Sequence, residues 1–402
     1  MTRAELRASG SLAMVFALRM LGLFLILPVF AVHARGLPGG DQPLLVGLAL
    51  GVYGLTQAFL QIPYGIASDR FGRKPVIVAG MLVFAAGSFL AAVAPDVMTV
   101  LIGRALQGAG AVSAAVTAMI ADHTRDSQRT KAMAMVGISI GMSFAVSMVA
   151  APLLYSLIGM AGIFSLTGLL ALAAVVTVTR LPAPPADAAQ GAVDAVERRR
   201  FRDVLAHVDL LRLNFGVFVL HAVQMAVFVV VPNWLVEDAG LPLDAHWKLY
   251  LPVMAVSVML MMPALNWGER RGRVSTVLAG AIGLMLVVVI GLFWHPRGVI
   301  PMAILLAAFF AGFNVLEASQ PSLVSKLAPP GTRGAALGVY NTTQSLGLFV
   351  GGGLGGWALA SWGGQAVFAG SGVLLLAWLI MTLRKRVDTP GSVLGSSSAS
   401  HG

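Results

Sequence analysis

The chain has 402 residues, 57% of them hydrophobic and only 11% charged, with a mean hydropathy of +0.85. This composition excludes an ordinary soluble globular protein, and the lack of cysteine excludes disulfides and thiol chemistry. The net charge of +10 would suit a nucleic-acid binder if the cations shared one surface, but they recur in small groups between long apolar runs, as in a membrane protein with a basic inner face.

Runs of about 20 apolar residues predict twelve membrane spans, at 12–33, 44–66, 75–94, 98–121, 132–157, 162–180, 210–235, 247–267, 275–294, 299–323, 335–359 and 365–383. The first run is too long for a signal-peptide core and lacks a small-x-small cleavage site, so it reads as a retained helix. Between spans 2 and 3 lies the charged decapeptide Gly65-Ile66-Ala67-Ser68-Asp69-Arg70-Phe71-Gly72-Arg73-Lys74. It reads as a short surface loop in which Gly65 and Gly72 permit a tight backbone. Span 4 carries Arg104 and Gln107 and ends at Asp122; span 5 carries Gly137, Gly141 and Pro152, small and kinking residues expected at a close helix contact. Residues 181–209 are rich in Pro and Ala and then basic, and are expected to include a helix lying along the membrane face.

That linker divides the chain into an N-terminal bundle (1–180) and a C-terminal bundle (210–386), followed by a Gly- and Ser-rich disordered tail (387–402). Pro263 and Glu269-Arg270-Arg271-Gly272-Arg273 repeat Pro63 and Asp69-Arg70-Phe71-Gly72-Arg73 at the matching place in the second half, the mark of an internal repeat. Most of the 27 cations fall on the segments assigned to the cytoplasm, which also places both termini there.

Ionisable groups within hydrocarbon are costly and therefore point to function. Glu317 is the carboxylate that the span boundaries place inside the membrane rather than at its edge. A proton removes the cost of its charge, making it the first candidate for proton coupling; the other reading is a structural acid paired with Arg19 or a basic loop residue. His221 is a second candidate proton carrier, or else a hydrogen-bonded packing residue. Arg104 keeps its charge, so it either biases a neighbouring acid or water chain or serves as a strut bonded to backbone carbonyls. Arg19, Gln57, Gln61, Gln224, Asn314, Asn341 and Gln344 are candidate lining of a substrate cavity. Gly351 to Gly356 lacks the Lys-Ser/Thr of a phosphate loop and lies within a span, so it reads as a helix-packing face. There is no His-Glu-x-x-His motif; no enzyme activity, metal or cofactor is expected.

The pattern Gly65-x-x-x-Asp69-Arg70-x-Gly72-Arg73-Lys74 resembles the signature loop between helices 2 and 3 of the major facilitator superfamily of secondary transporters. Arg104-Ala105-Leu106-Gln107-Gly108 resembles the Arg-x-x-Gln-Gly motif of its proton-coupled members, and Gly137 to Gly141 with Ala151-Pro152 partly matches the helix 5 motif of its antiporters. With Leu18 to Gly22, Ile62-Pro63, Arg129 to Ala134 and Leu213 to Gly216, nearly the whole chain is similar to the twelve-helix drug:proton antiporter branch and its YajR-like members. Those members often carry a C-terminal soluble domain, and none is expected here.

The resemblance implies an all-α integral membrane protein of two pseudo-symmetric six-helix bundles around a central cavity. It implies a monomer in the bacterial inner membrane whose partners are a small-molecule substrate, protons and the lipid bilayer, with no nucleic acid. The implied activity is proton-driven export of drugs or other small amphipathic compounds, with symport or uniport of a metabolite as the alternative and a non-transporting receptor as a more remote one. It also implies that Arg104 and Gln107 join Glu317 and His221 in proton coupling. Gly65, Asp69, Arg70, Gly72, Arg73, Lys74 and Asp122 would form a gating latch, Asp69 approaching the inner start of helix 11 and Arg73 pairing with Asp122. The alternative is that the cations of the loop only set topology.

Overall fold

The computed structural model describes residues 1–110, 112–181, 204–329 and 332–384. The expected interfacial helix and the C-terminal tail thus lie for the most part outside the described residues. Among the described residues there are helices and no strands, as hydrocarbon requires of a chain that must satisfy its backbone groups within each span. Span 1 is α1 (Arg3–Phe24) continued by α2 (Leu27–Ala34). Span 2 is α3 (Pro43–Phe71), span 3 is α4 (Arg73–Ala92), and span 4 is α5 (Val97–Ala109) continued by α6 (Ser113–Asp122). Spans 5 and 6 share α7 (Asp126–Arg180), broken at Gly159 where φ is 65° and ψ is −176°. The second half comprises α8 (Val208–Glu237), α9 (His246–Arg270), α10 (Val274–Phe293), α11 (Val299–Leu327), α12 (Arg333–Trp362) and α13 (Gly364–Arg384).

Ten of these segments are long and apolar enough to cross a membrane on their own composition, one of them the 50-residue run Lys131–Arg180 that holds two spans. The remaining span is α12, whose hydropathy is lowered by Asn341, Thr342, Thr343, Gln344 and Ser345 on a helix long enough to cross. Twelve spans result, as the apolar runs predict.

Local signals explain the helix starts. Thr2 and Glu5 form a reciprocal capping box at α1, and Glu5 also pairs with Arg125 at 2.8 Å, tying that start to the loop after α6. Asp96 caps α5 by accepting the Thr99 amide hydrogen bond at 2.7 Å, which holds its carboxyl below the ordinary range. Gly72 (φ 91°) and Gly272 (φ 60°) occupy matching turns of the two halves, both in backbone conformations that side-chain-bearing residues rarely adopt. The repeat seen in the sequence is thus a repeat of turn geometry as well as of charge.

The side of the molecule bearing Arg70, Arg73, Arg270 and Arg271 is here called the basic face. The two halves meet on the other side. There Gly47, Gly51 and Gly54 of α3 lie against the backbone of α12 at Gly352, Phe349 and Ser345, so closely that a Cβ at Gly51 would sit 2.9 Å from the Phe349 carbonyl oxygen. Gly352 and Gly356 return the contact, so the Gly-rich run of α12 is a packing face, as expected. An ion pair between Arg35 and Glu237 joins the halves at the surface on this side. The largest apolar core draws residues from both halves, whereas a second one, nearer the basic face, is built of N-terminal residues alone, among them Leu12, Ile77, Met119 and Val178.

Toward the basic face the interface helices part. Gly137 and Gly141 of α7 and Gly334 and Gly338 of α12 have open space where a Cβ would point. The expectation that Gly137 and Gly141 pack closely is corrected for this state: they lie on the end of the helix where the halves stand apart. Pro152, on the closed side, is buried within α7. The molecule is therefore closed opposite the basic face and open toward it. A Gly352→Leu substitution should hold α3 and α12 apart at their contact; spin-label distances between the far ends of these helices should lengthen, and unchanged distances would refute the glycine contact as the closure.

Candidate transport and gating sites

At mid-span the two halves touch through aromatic rings. Phe144 of α7 lies 5.8 Å from Phe310 and 5.7 Å from Phe313 of α11, ring centre to ring centre, and is backed edge-on by Phe24 at 5.1 Å. One helical turn beyond Phe313 toward the basic face is Glu317, on the same face of α11. Its carboxylate meets two groups. His221 Nε2 of α8 is 3.6 Å from Oε2, and Gln344 Nε2 of α12 is 3.4 Å from Oε1. The cluster hangs from three helices.

Its hydrogen bonds fix the histidine tautomer. His221 Nδ1 is 3.0 Å from the Val217 carbonyl oxygen, which can only accept, so Nδ1 carries the proton. Nε2 is then the acceptor for the Gln344 amide nitrogen at 2.6 Å. Gln344 thereby bridges the neutral imidazole and the carboxylate. Glu317 Oε2 is buried and makes no hydrogen bond, and the nearby Tyr340 hydroxyl is buried without one as well. Tyr340 escaped sequence reasoning, although its place one turn before Gln344 was a usable signal.

The other candidates divide into those that join this group and those that do not. Asn314, one turn back on α11, donates to Ser257 Oγ of α9 at 3.0 Å. Gln57, Gln61 and Gln224 are buried on α3 and α8, and Asn341 is half-buried on α12; among the described residues none of the four is hydrogen-bonded to the Glu317 group. Arg19 is not paired with Glu317. It lines a narrow cleft of the N-terminal half with Phe16, Met81 and Ser113; its Nη2 approaches the Met20 sulfur at 3.7 Å, and its Nε and Nη1 are without partners.

Arg104, 1% exposed, is a strut. Its Nε and Nη2 point at the Ala49 and Leu50 carbonyl oxygens of α3 at 3.4 and 3.3 Å, its Nη1 donates to Gln107 Oε1 at 2.9 Å, and the guanidinium stands 5.1 Å from the Tyr53 ring centre. Gln107 in turn donates to Ser88 Oγ of α4 at 2.8 Å. Arg104 and Gln107 together thus link spans 2, 3 and 4 by hydrogen bonds.

The charged decapeptide is mostly helix rather than loop, a correction to the expectation from composition. α3 runs through Asp69 and Arg70 to Phe71, Gly72 alone makes the turn, and α4 begins at Arg73. Gly65 sits within α3, and a Cβ there would meet Ala114 at an ordinary 3.7 Å, so the tight backbone belongs to Gly72. Arg73 is the hub: Nε to Asp122 Oδ2 at 2.9 Å, Nη1 to Ser68 Oγ at 2.7 Å, and an ion pair with Asp69 one turn earlier. Lys74 donates to the Leu181 carbonyl oxygen, and Arg70 is exposed. Gly137-Ile138-Ser139-Ile140-Gly141 has the spelling of a nucleophile elbow, but Ser139 lies inside α7 and donates to the Val136 carbonyl oxygen at 2.8 Å, without the strand-turn-helix such an elbow needs. Among the described residues no cluster of three or more His, Asp or Glu is placed to hold a metal ion.

Family comparison decides the class of the protein. The model of the Major Facilitator Superfamily matches residues 12–314 and, overlapping them, 213–400. The chain belongs to the Major Facilitator Superfamily. It is 41% identical over 407 residues to the inner membrane transport protein YajR of Escherichia coli K12, covering 99% of this chain and 89% of that one. It is 28% identical to the multidrug resistance protein MdtH of Aeromonas hydrophila, covering 87% and 88%. The fold is similar to that of a mutant nucleoside transporter NupG, with a TM-score of 0.72 at 14% identity over 94% and 99% of the two chains. It is equally similar, with a TM-score of 0.72 at 14% identity over 96% and 98%, to a bacterial homologue of the human lysosomal transporter Spinster in an inward-facing, occupied conformation. The protein is thus a membrane-spanning transporter of the superfamily, not an enzyme, and its substrate is a small molecule.

Within the superfamily fold the strut and the turn make separate predictions. Arg104→Lys keeps the charge but not the planar fork, and should cost about 2 kcal/mol of stability; an unchanged melting temperature would show that the carbonyl contacts carry nothing. Gly72→Ala forces a disfavoured backbone angle and should cost roughly 1–3 kcal/mol, whereas Gly65→Ala should melt like the parent protein.

Proposed function

We propose that the protein exports small amphipathic compounds in exchange for protons, with the basic face toward the cytoplasm. The observation that supports proton exchange is the Glu317 cluster, a carboxylate within a span held by one long hydrogen bond from Gln344 while its second oxygen, 3.6 Å from the unprotonated His221 Nε2, makes no hydrogen bond. The Glu317 side chain is 31% exposed, so a proton can reach it from the open side, and closing that side would take the charge out of water at a cost that a proton removes. A proton on His221 instead would place an N–H against the Gln344 amide nitrogen, so that amide would have to turn and present its oxygen. Either event reorders contacts among α8, α11 and α12, and so shifts the balance between the two states of the transporter.

The aromatic floor formed by Phe144, Phe310 and Phe313 suits the apolar body of an amphipathic substrate. The multidrug resistance name of the MdtH relatives favours drugs among such compounds, and the inner membrane named for the YajR relative favours a bacterial inner membrane. In this reading the halves 1–180 and 210–386 rock against each other in a monomer. Asp69 exchanges its pairing with Arg73 for the start of α12 when the basic face closes. Arg104 and Gln107 hold the N-terminal half rigid beside the proton site.

The test is transport in liposomes with an internal pH dye and a panel of lipophilic cations and metabolites. Substrate flow should move protons the opposite way, and Glu317→Gln should retain substrate counterflow while losing the pH-driven component at least about tenfold. Coupling that survives in Glu317→Gln would refute the assignment, and protons moving with the substrate would make the protein a symporter.

A further inference from the structure

Leu213 to Gly216 is one of the stretches that carry the family resemblance, and the proposed transport cycle uses neither it nor Arg212 just before it. Both belong to the wall of a cavity of about 30 Å³ inside the C-terminal half, lined by Arg212 and Leu213 of α8, Ile282 of α10, Gln320 of α11, and Trp378 and Thr382 of α13. Free space of that size holds about two water-sized groups. Gly216 shapes the wall, since a Cβ there would lie 2.7 Å from Nε1 of the Trp378 indole.

The mouth lies at the basic face. Arg212 is one turn from the start of α8, and Thr382 is two residues before the end of α13. Gln320 is seven residues before the end of α11, roughly 10 Å deeper along the helix. It is 1% exposed, yet neither its amide nitrogen nor its amide oxygen has a hydrogen-bond partner. Such a group loses its water on folding and recovers the loss when a polar guest arrives.

The electrostatics select an anion. Arg212 gives Nη1 to Asp209 at 3.1 Å, which offsets part of its charge and leaves other guanidinium donors free of that contact. The N-termini of α8 and α10 both face this side, α10 is preceded by Arg273, and α13 ends in Arg384. The guest therefore needs a negative group at the mouth, and one that both donates and accepts at Gln320.

We propose that this cavity is a site for an anionic phospholipid with a hydroxylated headgroup, drawn from the leaflet at the basic face. The phosphodiester sits on Arg212, and a headgroup hydroxyl exchanges hydrogen bonds with the Gln320 amide. Basic recesses between spans at a headgroup layer bind such lipids for this electrostatic reason. The site stands independently of proton coupling at Glu317.

Native mass spectrometry of the full chain, delipidated and then titrated, tests it. The wild type should retain phosphatidylglycerol at least about fivefold over phosphatidylcholine. Arg212→Gln should remove most of that preference, and Arg212→Lys should keep part of it. Gln320→Leu should lower phosphatidylglycerol occupancy and leave that of phosphatidic acid, which lacks the hydroxyl, unchanged. Equal occupancy of the two lipids in the wild type, or undiminished phosphatidylglycerol in both Arg212→Gln and Gln320→Leu, would overturn the proposal. Glycerol phosphate binding as tightly as the lipid would assign the site to a soluble anion and overturn the lipid reading. Melting temperatures of the variants in lipid-free detergent identify any loss due to unfolding, and Gln320→Leu decides the matter if Arg212→Gln does not fold.

Discussion

The approach of α3 to α12 governs the state in which this molecule is seen. Two helices can come this close only where glycine replaces side chains on both, because a single Cβ at Gly47 or Gly352 would overlap the facing backbone. The contact is confined to the side away from the basic face. Rigid helices that meet at one end diverge at the other, so the open space at Gly137, Gly141, Gly334 and Gly338 follows from the same geometry. The Arg35–Glu237 pair sits at the closed end, but both side chains are about half exposed, and surface pairs contribute little. Backbone packing, then, holds the closed end, and the ion pair marks its rim.

The signature turn belongs to the open end. Arg73 collects Asp69, Asp122 and Ser68 around one guanidinium, all of them in the N-terminal half. Asp69 is thus occupied within its own half when the halves are parted on its side. An aspartate paired to an arginine four residues away in its own half stays satisfied without any contact to the other half. The left-handed turn at Gly72 supports this pairing, placing Arg73 at the start of α4 within reach of both acids.

Much of this was legible in the sequence, and the reasons differ by element. Span count came from apolar length, which hydrocarbon enforces. Even α12, too polar in part to stand out by hydropathy, was found because its Gly- and Ala-rich stretches kept the run long enough. The Arg73–Asp122 pair followed from family resemblance and not from spacing, since 49 residues separate the two. Where the reading fell short, the cause was that composition does not fix backbone state: a charged stretch between spans can be helix extended beyond the membrane, as Asp69 and Arg70 are. Tertiary neighbours were the other gap. Nothing in the sequence alone says that Phe144 meets Phe310 and Phe313, that Gln344 bridges His221 and Glu317, or that Arg19 faces its own bundle.

The two halves repeat one architecture but use their buried polar groups differently. In the N-terminal half, Arg104 has its donors directed at backbone carbonyls and a glutamine, acceptors that do not change with pH, and the result is three helices locked together. In the C-terminal half, Glu317 has contacts of 3.4 and 3.6 Å and one oxygen without a hydrogen bond, and the glutamine beside it can present either end of its amide. A network of several hydrogen bonds to fixed acceptors resists change, and a sparsely bonded one has a nearby alternative arrangement. The contrast is between two networks and not between whole halves, since the buried Arg19 Nε and Nη1 of the N-terminal half also lack hydrogen-bond partners: Arg104 sits among acceptors that stay as they are, and Glu317 among groups that can be paired in another way.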